Sequence, residues 1–519
     1  MKKFNFKLKE NNNYYYIIIV FSLLISIYYG YRGVFPIDSF LIFDAGYKIQ
    51  NNFFPFKDYW SITGPLLDYI QFILFNIFGL NWFSYVLHAA LINCLVSCIS
   101  FYFFLNFGLK RNISFCSSIC IAILAYPSTG TPFMDHHAVI FSLISIIFLI
   151  LGLRNQKKIY WFLSPIFLIF SFFSKQIPSG YLGILLILIV LTFYFFIKRN
   201  NNIFYFFYGC IFGLGFFLLL FIFQGIELKD IFIQYFLYPL SVGSSRIKNF
   251  QFDLNNIFFQ FKFIYLAVLP LLVTIIFLIF SKKKENSKKI DILILFFVIL
   301  SFCIFIYTQI ITRNQILIFF LIPFFLTVSY FYVELLFGKS KLLSYLIIFV
   351  IITTTAKYHL RFNENKKFME LENINFKKAV NAEILDKKLF GLKWITADYS
   401  ENPNYELEML NQIKTTILMD DSNKIIISDY QILPTITHTR FAAPNKWFDE
   451  LSVPDNKNKY FNYYRNFFFE KLKDQKIQTL YFIGKEKLDY FKRLLVNINC
   501  FESRTVNEIS LVLIISDCY

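Results

Sequence analysis

Carboxylates are scarce in the first two-thirds of this 519-residue chain: residues 1 to 357 hold 12 Asp+Glu against 28 Lys+Arg, while residues 358 to 519 hold 22 against 23. The net charge of +17 therefore belongs almost wholly to the first part. That part is built of long apolar runs, so its positive excess reads as membrane topology and not as nucleic-acid binding. Other signatures are missing too. The tail has no Gly-rich phosphate loop and no evident catalytic set, which leaves binding or packing as its default role. The first apolar run lacks a small-residue cleavage site and is followed by further runs, which argues against a cleavable signal peptide. Six of the eight cysteines (Cys94, Cys98, Cys116, Cys120, Cys210 and Cys303) lie in apolar runs, and no His or carboxylate completes a tetrahedral metal set beside them. They read as small buried hydrophobes. Cys500 and Cys518 lie in the tail and are able to pair if it is extracytoplasmic.

What is present is apolar: 57% of the residues are hydrophobic, with 71 Phe and 34 Tyr, in runs long enough to cross a bilayer core of roughly 30 Å. The pattern predicts about 11 spans, at 14 to 31, 82 to 108, 113 to 127, 134 to 152, 159 to 174, 181 to 197, 203 to 223, 263 to 280, 291 to 311, 315 to 337 and 342 to 357. The stretch 65 to 79 is apolar but short, and carries Asp68 and Gln71. With it left uncrossed, the loops on the N-terminal side hold 18 Lys+Arg and the longer opposite loops 9. This matches the positive-inside rule, so 65 to 79 is expected to lie along the surface as an interfacial or re-entrant helix. The expected protein is a polytopic α-helical membrane domain over 1–357 in the plasma membrane, with a cytoplasmic N-terminus, and a small extracytoplasmic α/β domain over 358–519. In that tail, helical stretches at about 404 to 418, 459 to 474 and 486 to 497 alternate with β-rich runs at 424 to 429, 477 to 484 and 510 to 516.

Eight of the twelve acids of the first part fall on the outer side: Asp38, Asp44, Asp58, Asp68, Asp135, Glu227, Asp230 and Asp253. Carboxylates hardly obey topology rules, so their placement asks for another cause, the simplest being an outward-facing polar site. Between residues 38 and 60 the acids sit among aromatics, where burial would raise a carboxyl pKa and suit it as a general base. The bland alternative is an aromatic belt with solvated acids. The segment 224 to 262 joins an amphipathic run to Gly-Ser-Ser, and reads as a mobile cover or a solvated connector. His88, inside a span, reads as a helix-packing hydrogen bonder.

The order "PFKDYW" (55 to 60), "GPLLDYIQFILFNIFGLNWFSYVLHAALIN" (64 to 93), "AYPSTGTPFMDHHAVIFSLISI" (125 to 146) and "FSFFSKQIPSGYLG" (170 to 183), after a first span and an early outer-loop Asp, resembles the membrane-embedded GT-C type glycosyltransferases, such as the protein O-mannosyltransferases and the aminoarabinose transferases of lipid A. The likeness covers about residues 14 to 200, and span pattern alone extends it to 357. It implies transfer of a sugar from a polyprenyl-phosphate carrier to an envelope acceptor at the outer face, with a first-loop acid as base. Many members carry Asp-Glu in that loop; here Asp38 precedes Ser39 and Asp44 precedes Ala45, so the base is Asp38 or Asp44, with Asp44 favoured by its aromatic surroundings. Asp58, Asp68, Asp135, His136 and His137 are then candidates for the acceptor side. Lys175, Arg246 and Arg313 are candidates to grip the lipid phosphate. No cofactor is required by this reading. Some relatives use a divalent metal and others do not; Asp135, His136 and His137, alongside Asp44, are the candidate donors, although adjacent histidines on a helix point in different directions.

Overall fold

The computed structural model describes residues 2–248, 254–280, 285–312, 317–338, 340–495 and 501–515. Its first helices are α1 (Lys2–Gly30), α2 (Pro36–Ser39), α3 (Leu41–Gln50), α4 (Leu66–Phe78), α5 (Trp82–Phe107), α6 (Arg111–Leu124), α7 (Met134–Asn155), α8 (Lys158–Phe172), α9 (Ser179–Thr192) and α10 (Ile203–Phe223). They are followed by α11 (Leu228–Ile231), α12 (Tyr238–Lys248), α13 (Lys262–Phe280), α14 (Glu285–Thr312), α15 (Leu321–Phe337) and α16 (Lys341–Tyr358). Each of the expected spans coincides with a helix. Among the described residues eight helical stretches are long and apolar enough to cross a bilayer, the last running on from Lys341 to Met369, while Lys158–Phe172 and Leu321–Leu336 are apolar but shorter. The chain is a multi-pass membrane protein.

The bundle is organised around α7, whose apolar length is fully buried, whereas the apolar windows of α9, α10 and α13 are only 33%, 28% and 39% buried and keep an outward face for lipid. With no water in a bilayer core, polar side chains there must find partners on other helices. Ser142 and Ser171 share a 2.8 Å hydrogen bond, and Ser145 donates to the Ser164 carbonyl at 2.7 Å, which pins α7 to α8. Asn93 of α5 donates to the Ser22 carbonyl, Ser26 and the Ala122 carbonyl, so one amide ties α1, α5 and α6. The doubtful α4 packs chiefly on α3 and α5, with Leu66, Leu67, Asp68, Gln71, Leu74 and Phe75 turned inward and Ile73, Ile77 and Phe78 exposed. Such a one-sided apolar helix of 13 residues suits a place at the membrane surface.

The tail contains α17 (Pro403–Met419), α18 (Leu433–Ile436), α19 (Phe461–Asp474) and α20 (Lys485–Lys492) with a short ladder β1 (Val380–Asn381) and β2 (Lys393–Trp394). A four-stranded sheet of β3 (Lys424–Ser428), β4 (Thr479–Ile483), β5 (Phe501–Asn507) and β6 (Ser510–Ile515) has the order β3-β4-β6-β5. β3 and β4 are parallel, and the other pairs antiparallel. The helices α17, α19 and α20 and the strands β3, β4 and β6 stand where the hydropathy pattern puts them, whereas α18 and the β1–β2 ladder do not follow from it. β5, "FESRTVN", was not foreseen, because it is a polar edge strand whose pairing with β6 supplies what its own side chains do not. The segment from Leu228 to Lys248 is helical, with Gly243 to Ser245 inside α12 and not in a loop. The tail holds it there: Tyr238 donates to the Leu451 carbonyl at 2.7 Å and Asn458 to Ser241 at 3.2 Å.

The tail also clasps the connection between α1 and α5. Gly33 and Val34 donate to the Lys393 and Ile395 carbonyls, Lys393 donates back to Tyr31, and Trp60 forms a bridge with Asn445. Phe40 stacks on Trp394 and meets Trp82 edge-on. Aromatic crowding in this loop is therefore packing between two parts of the protein.

Candidate active site

A cavity of about 650 Å³ lies where the connection between α1 and α5, the starts of α7 and α9, the helices around Tyr235 to Arg246, and the tail segment 447 to 452 meet. Four of the charged residues expected from the sequence line it: Asp38, Asp135, Lys175 and Arg246. Asp38 is placed by α2, where Pro36 supplies a preset first turn and the Phe35 N–H donates to Ser39 Oγ at 2.8 Å. Asp38 is partly buried and lines the cavity. Removal from bulk water pushes its carboxyl up to about 7, the Asp135 and Asp449 carboxylates add to the rise, and the Lys175 ammonium opposes it.

Asp135 sits in the first turn of α7, where the helix dipole favours an anion. Both of its oxygens take hydrogen bonds from Lys175 Nζ at 2.6 Å. Lys175 follows the end of α8, and its neighbour Gln176 donates to the Ile62 and Tyr235 carbonyls at 2.8 Å each. One side chain thus fixes the first loop, the α8–α9 turn and the segment before α12 around the cavity. Arg246 reaches the cavity from α12 and pairs with no carboxylate among the described residues. Arg313 lies outside the described residues, as do Asp253, Cys500 and Cys518.

The remaining walls are apolar, among them Ile37, Phe133, Phe172, Tyr235 and Phe236. Three lining residues, Tyr181, Ile184 and Leu240, are themselves 38%, 63% and 66% exposed. Two of these belong to Ser179–Ile197, a helical stretch long and apolar enough to cross a bilayer.

The other sequence candidates stand apart. Asp44 is almost fully buried on α3, where its Oδ2 pairs with Lys48 at 2.8 Å and Lys48 also donates to the Asn445 carbonyl. Burial raises its pKa against the opposing Lys48 and Lys446 ammoniums. It lines a separate, small pocket against the tail. Asp68 accepts from Lys446 Nζ at 2.6 and 2.8 Å and from Tyr59 at 3.2 Å. Asp58 accepts from the Phe54 N–H at 2.7 Å and closes a local turn. Asp44 and Asp68 are thus bound up in contact with the tail, and Asp38 is the first-loop acid that faces the cavity.

His136 and His137 are buried in the bundle. His137 meets Tyr126 and, at 3.1 Å, His88, which in turn meets Gln71 at 3.1 Å; His136 meets Thr129 at 3.3 Å. Asp135 gives both oxygens to Lys175 and both ring nitrogens of His137 are engaged, while His136 Nε2 has no partner among the described residues. Among the described residues no three His, Cys, Asp or Glu side chains are grouped to hold a metal ion.

Sequence reasoning missed the contributions of Thr63, Trp447, Asp449 and Ser452 to this cavity. Three of them come from a tail segment, "WFDELS", that carries no motif and is brought in by contacts nearly 400 residues apart, such as Lys446 with Asp68.

No family model and no curated protein matches the chain. Among solved structures it is similar to ArnT from Cupriavidus metallidurans bound to undecaprenyl phosphate, at 10% identity and a TM-score of 0.44 over 96% of this chain and 97% of that one. It is similar also to the same protein in the apo state, at 10% identity and a TM-score of 0.43 over 97% and 98%.

Proposed function

We propose that this protein is an integral-membrane glycosyltransferase, moving a sugar from a polyprenyl-phosphate carrier to a hydroxyl acceptor at the outer face of the plasma membrane. The observation that carries the reading is a cavity in which a carboxyl with a raised pKa, two cations and largely apolar walls lie together. The lipid chain would enter past Ile184 and Leu240. Its phosphate would meet Arg246 and Lys175, and Asp38 would face the acceptor hydroxyl. The acceptor oxygen attacks the anomeric carbon and its proton passes to the Asp38 carboxylate. The bond from the anomeric carbon to the phosphate oxygen breaks, its electron pair stays with that oxygen, and the cations stabilise the phosphate as it leaves. In this orientation the N-terminus is cytoplasmic and the tail is outside.

A base must be ionised to accept a proton, so sugar release by the purified protein should rise with pH along a limb centred near 7. Lys175 holds the Asp38 pKa down; its removal should move the limb to higher pH, and Asp135→Asn, which removes a repelling carboxylate, should move it lower. The pH–rate profiles of the three proteins check both signs. A limb that stays put in both variants would detach the titration from Asp38, and no release at any pH would defeat the reading. Arg246→Ala should weaken binding of polyprenyl phosphate by about tenfold or more, the loss of one charged hydrogen-bond partner, measured by direct titration of the lipid in nanodiscs.

A further inference from the structure

We propose that Thr63, Trp447, Asp449 and Ser452 form an acceptor subsite for a saccharide, beside Asp38 in the same cavity. The inference rests on the transferase reading and adds the class of acceptor.

Two hydroxyls carry it. Ser452 Oγ and Thr63 Oγ1 belong to residues only 1% and 4% exposed, both line the cavity, and neither has a hydrogen-bond partner among the described residues. Each oxygen is turned from the open cavity and left unpaired, which is costly, and a polar ligand that draws the two side chains round would relieve that cost. Asp449 stands with them. Its Oδ1 accepts from the Ser452 N–H at 2.7 Å, which leaves the other oxygen able to accept from a ligand hydroxyl. Trp447 adds an aromatic surface, and its indole N–H donates to the Ile37 carbonyl at 3.0 Å, one residue from Asp38. Hydroxyls, a carboxylate and an aromatic ring together suit a polyol, whose hydroxyls pair with the polar groups while its C–H face covers the ring.

The wall is rigid. Lys446 N–H donates to the Trp60 carbonyl at 2.9 Å, Trp60 N–H to Pro444 at 3.1 Å, Gln431 to the Lys446 carbonyl at 2.7 Å and Tyr238 to the Leu451 carbonyl at 2.7 Å. These bonds also argue against a peptide acceptor. An extended peptide needs free backbone groups to pair with, and much of this segment's backbone is already engaged.

The protein carries its own reporter, because Trp60, Trp82, Trp161 and Trp394 are at most 1% exposed whereas Trp447 is only partly buried. Full-length protein in nanodiscs is titrated with neutral tetrasaccharides of glucose, galactose, mannose and N-acetylglucosamine, and with an octapeptide containing Ser and Thr. Iodide quenching of tryptophan fluorescence is the readout. The expected result is saturable protection by at least one saccharide and none by the peptide. Ser452→Ala, Thr63→Val and Asp449→Asn should each weaken that protection, by about tenfold for the charged acceptor, and Trp447→Phe should remove the signal. Polyprenyl phosphate is titrated in parallel. Lipid binding retained with no saccharide protecting, with protection indifferent to all three substitutions, or with the peptide protecting, overturns the subsite and leaves the transferase reading standing. Failure of the wild-type protein to bind polyprenyl phosphate overturns that reading itself.

Discussion

Asp38→Asn is expected to lower the rate of sugar transfer by about 10²–10⁴-fold, the range over which a positioned general base acts, while the protein still inserts, folds and binds polyprenyl phosphate. The amide nearly preserves the shape of the side chain but cannot take the acceptor proton. The effect should fall on kcat more than on lipid affinity, because Asp38 is assigned no contact with the carrier phosphate. Asp44→Asn is the informative partner experiment. Asp44 answers Lys48 inside the contact between α3 and the tail, so its loss leaves a buried ammonium short of its counter-charge and should lower thermal stability more than it lowers the transfer rate. Full activity in Asp38→Asn together with a folded but inactive Asp44→Asn would return the base to Asp44.

The second large effect is on stability. Lys446 and Asp68 are 3% and 0% exposed in their side chains, and their ion pair joins the tail to α4. Taking away one member strands the other charge away from water, which typically costs about 3–5 kcal/mol, whereas replacing both members with uncharged groups is often nearly neutral. Lys446→Met should therefore unfold at markedly lower temperature or denaturant, and Asp68→Asn combined with Lys446→Met should recover most of the loss. Unfolding of the full-length protein in detergent, followed for the wild type, both single variants and the double variant, closes the cycle. A single Lys446→Met variant as stable as the wild type would mean that the pair does not hold the tail to the first loop.

The parts of this structure that were legible before any coordinates follow from local pattern. Apolar runs mark the helices because a spanning segment must be apolar along its length, and short continuous apolar runs such as 424 to 429 mark the buried strands. The side on which Asp38, Asp135, Lys175 and Arg246 would gather followed from the basic loops, and the four do line one cavity. The choice within the first loop did not follow. Aromatic neighbours indicate that Asp44 is buried, and it is, but only the fold reveals that Lys48, one helical turn on, neutralises it and that the surrounding rings belong to a contact with the tail. Asp38, with fewer aromatic neighbours in sequence, is lifted toward the cavity by a four-residue helix whose direction depends on the tail strand at Lys393 and on Trp447. Nothing local distinguishes Asp449 or Ser452 from other polar residues of a charged tail. Their position is a long-range result of the Trp60–Asn445 bridge and the Lys446–Asp68 pair.

The central claim, that this cavity breaks the bond between a sugar and a lipid phosphate, is tested most directly in proteoliposomes. They would carry the purified protein and a radiolabelled polyprenyl-phosphate sugar, mixed with envelope acceptor from cells lacking the gene. Free polyprenyl phosphate should appear in step with labelled acceptor, and Asp38→Asn should stop both. Passage of the intact lipid-linked sugar across the bilayer, with no bond cleaved, would contradict it.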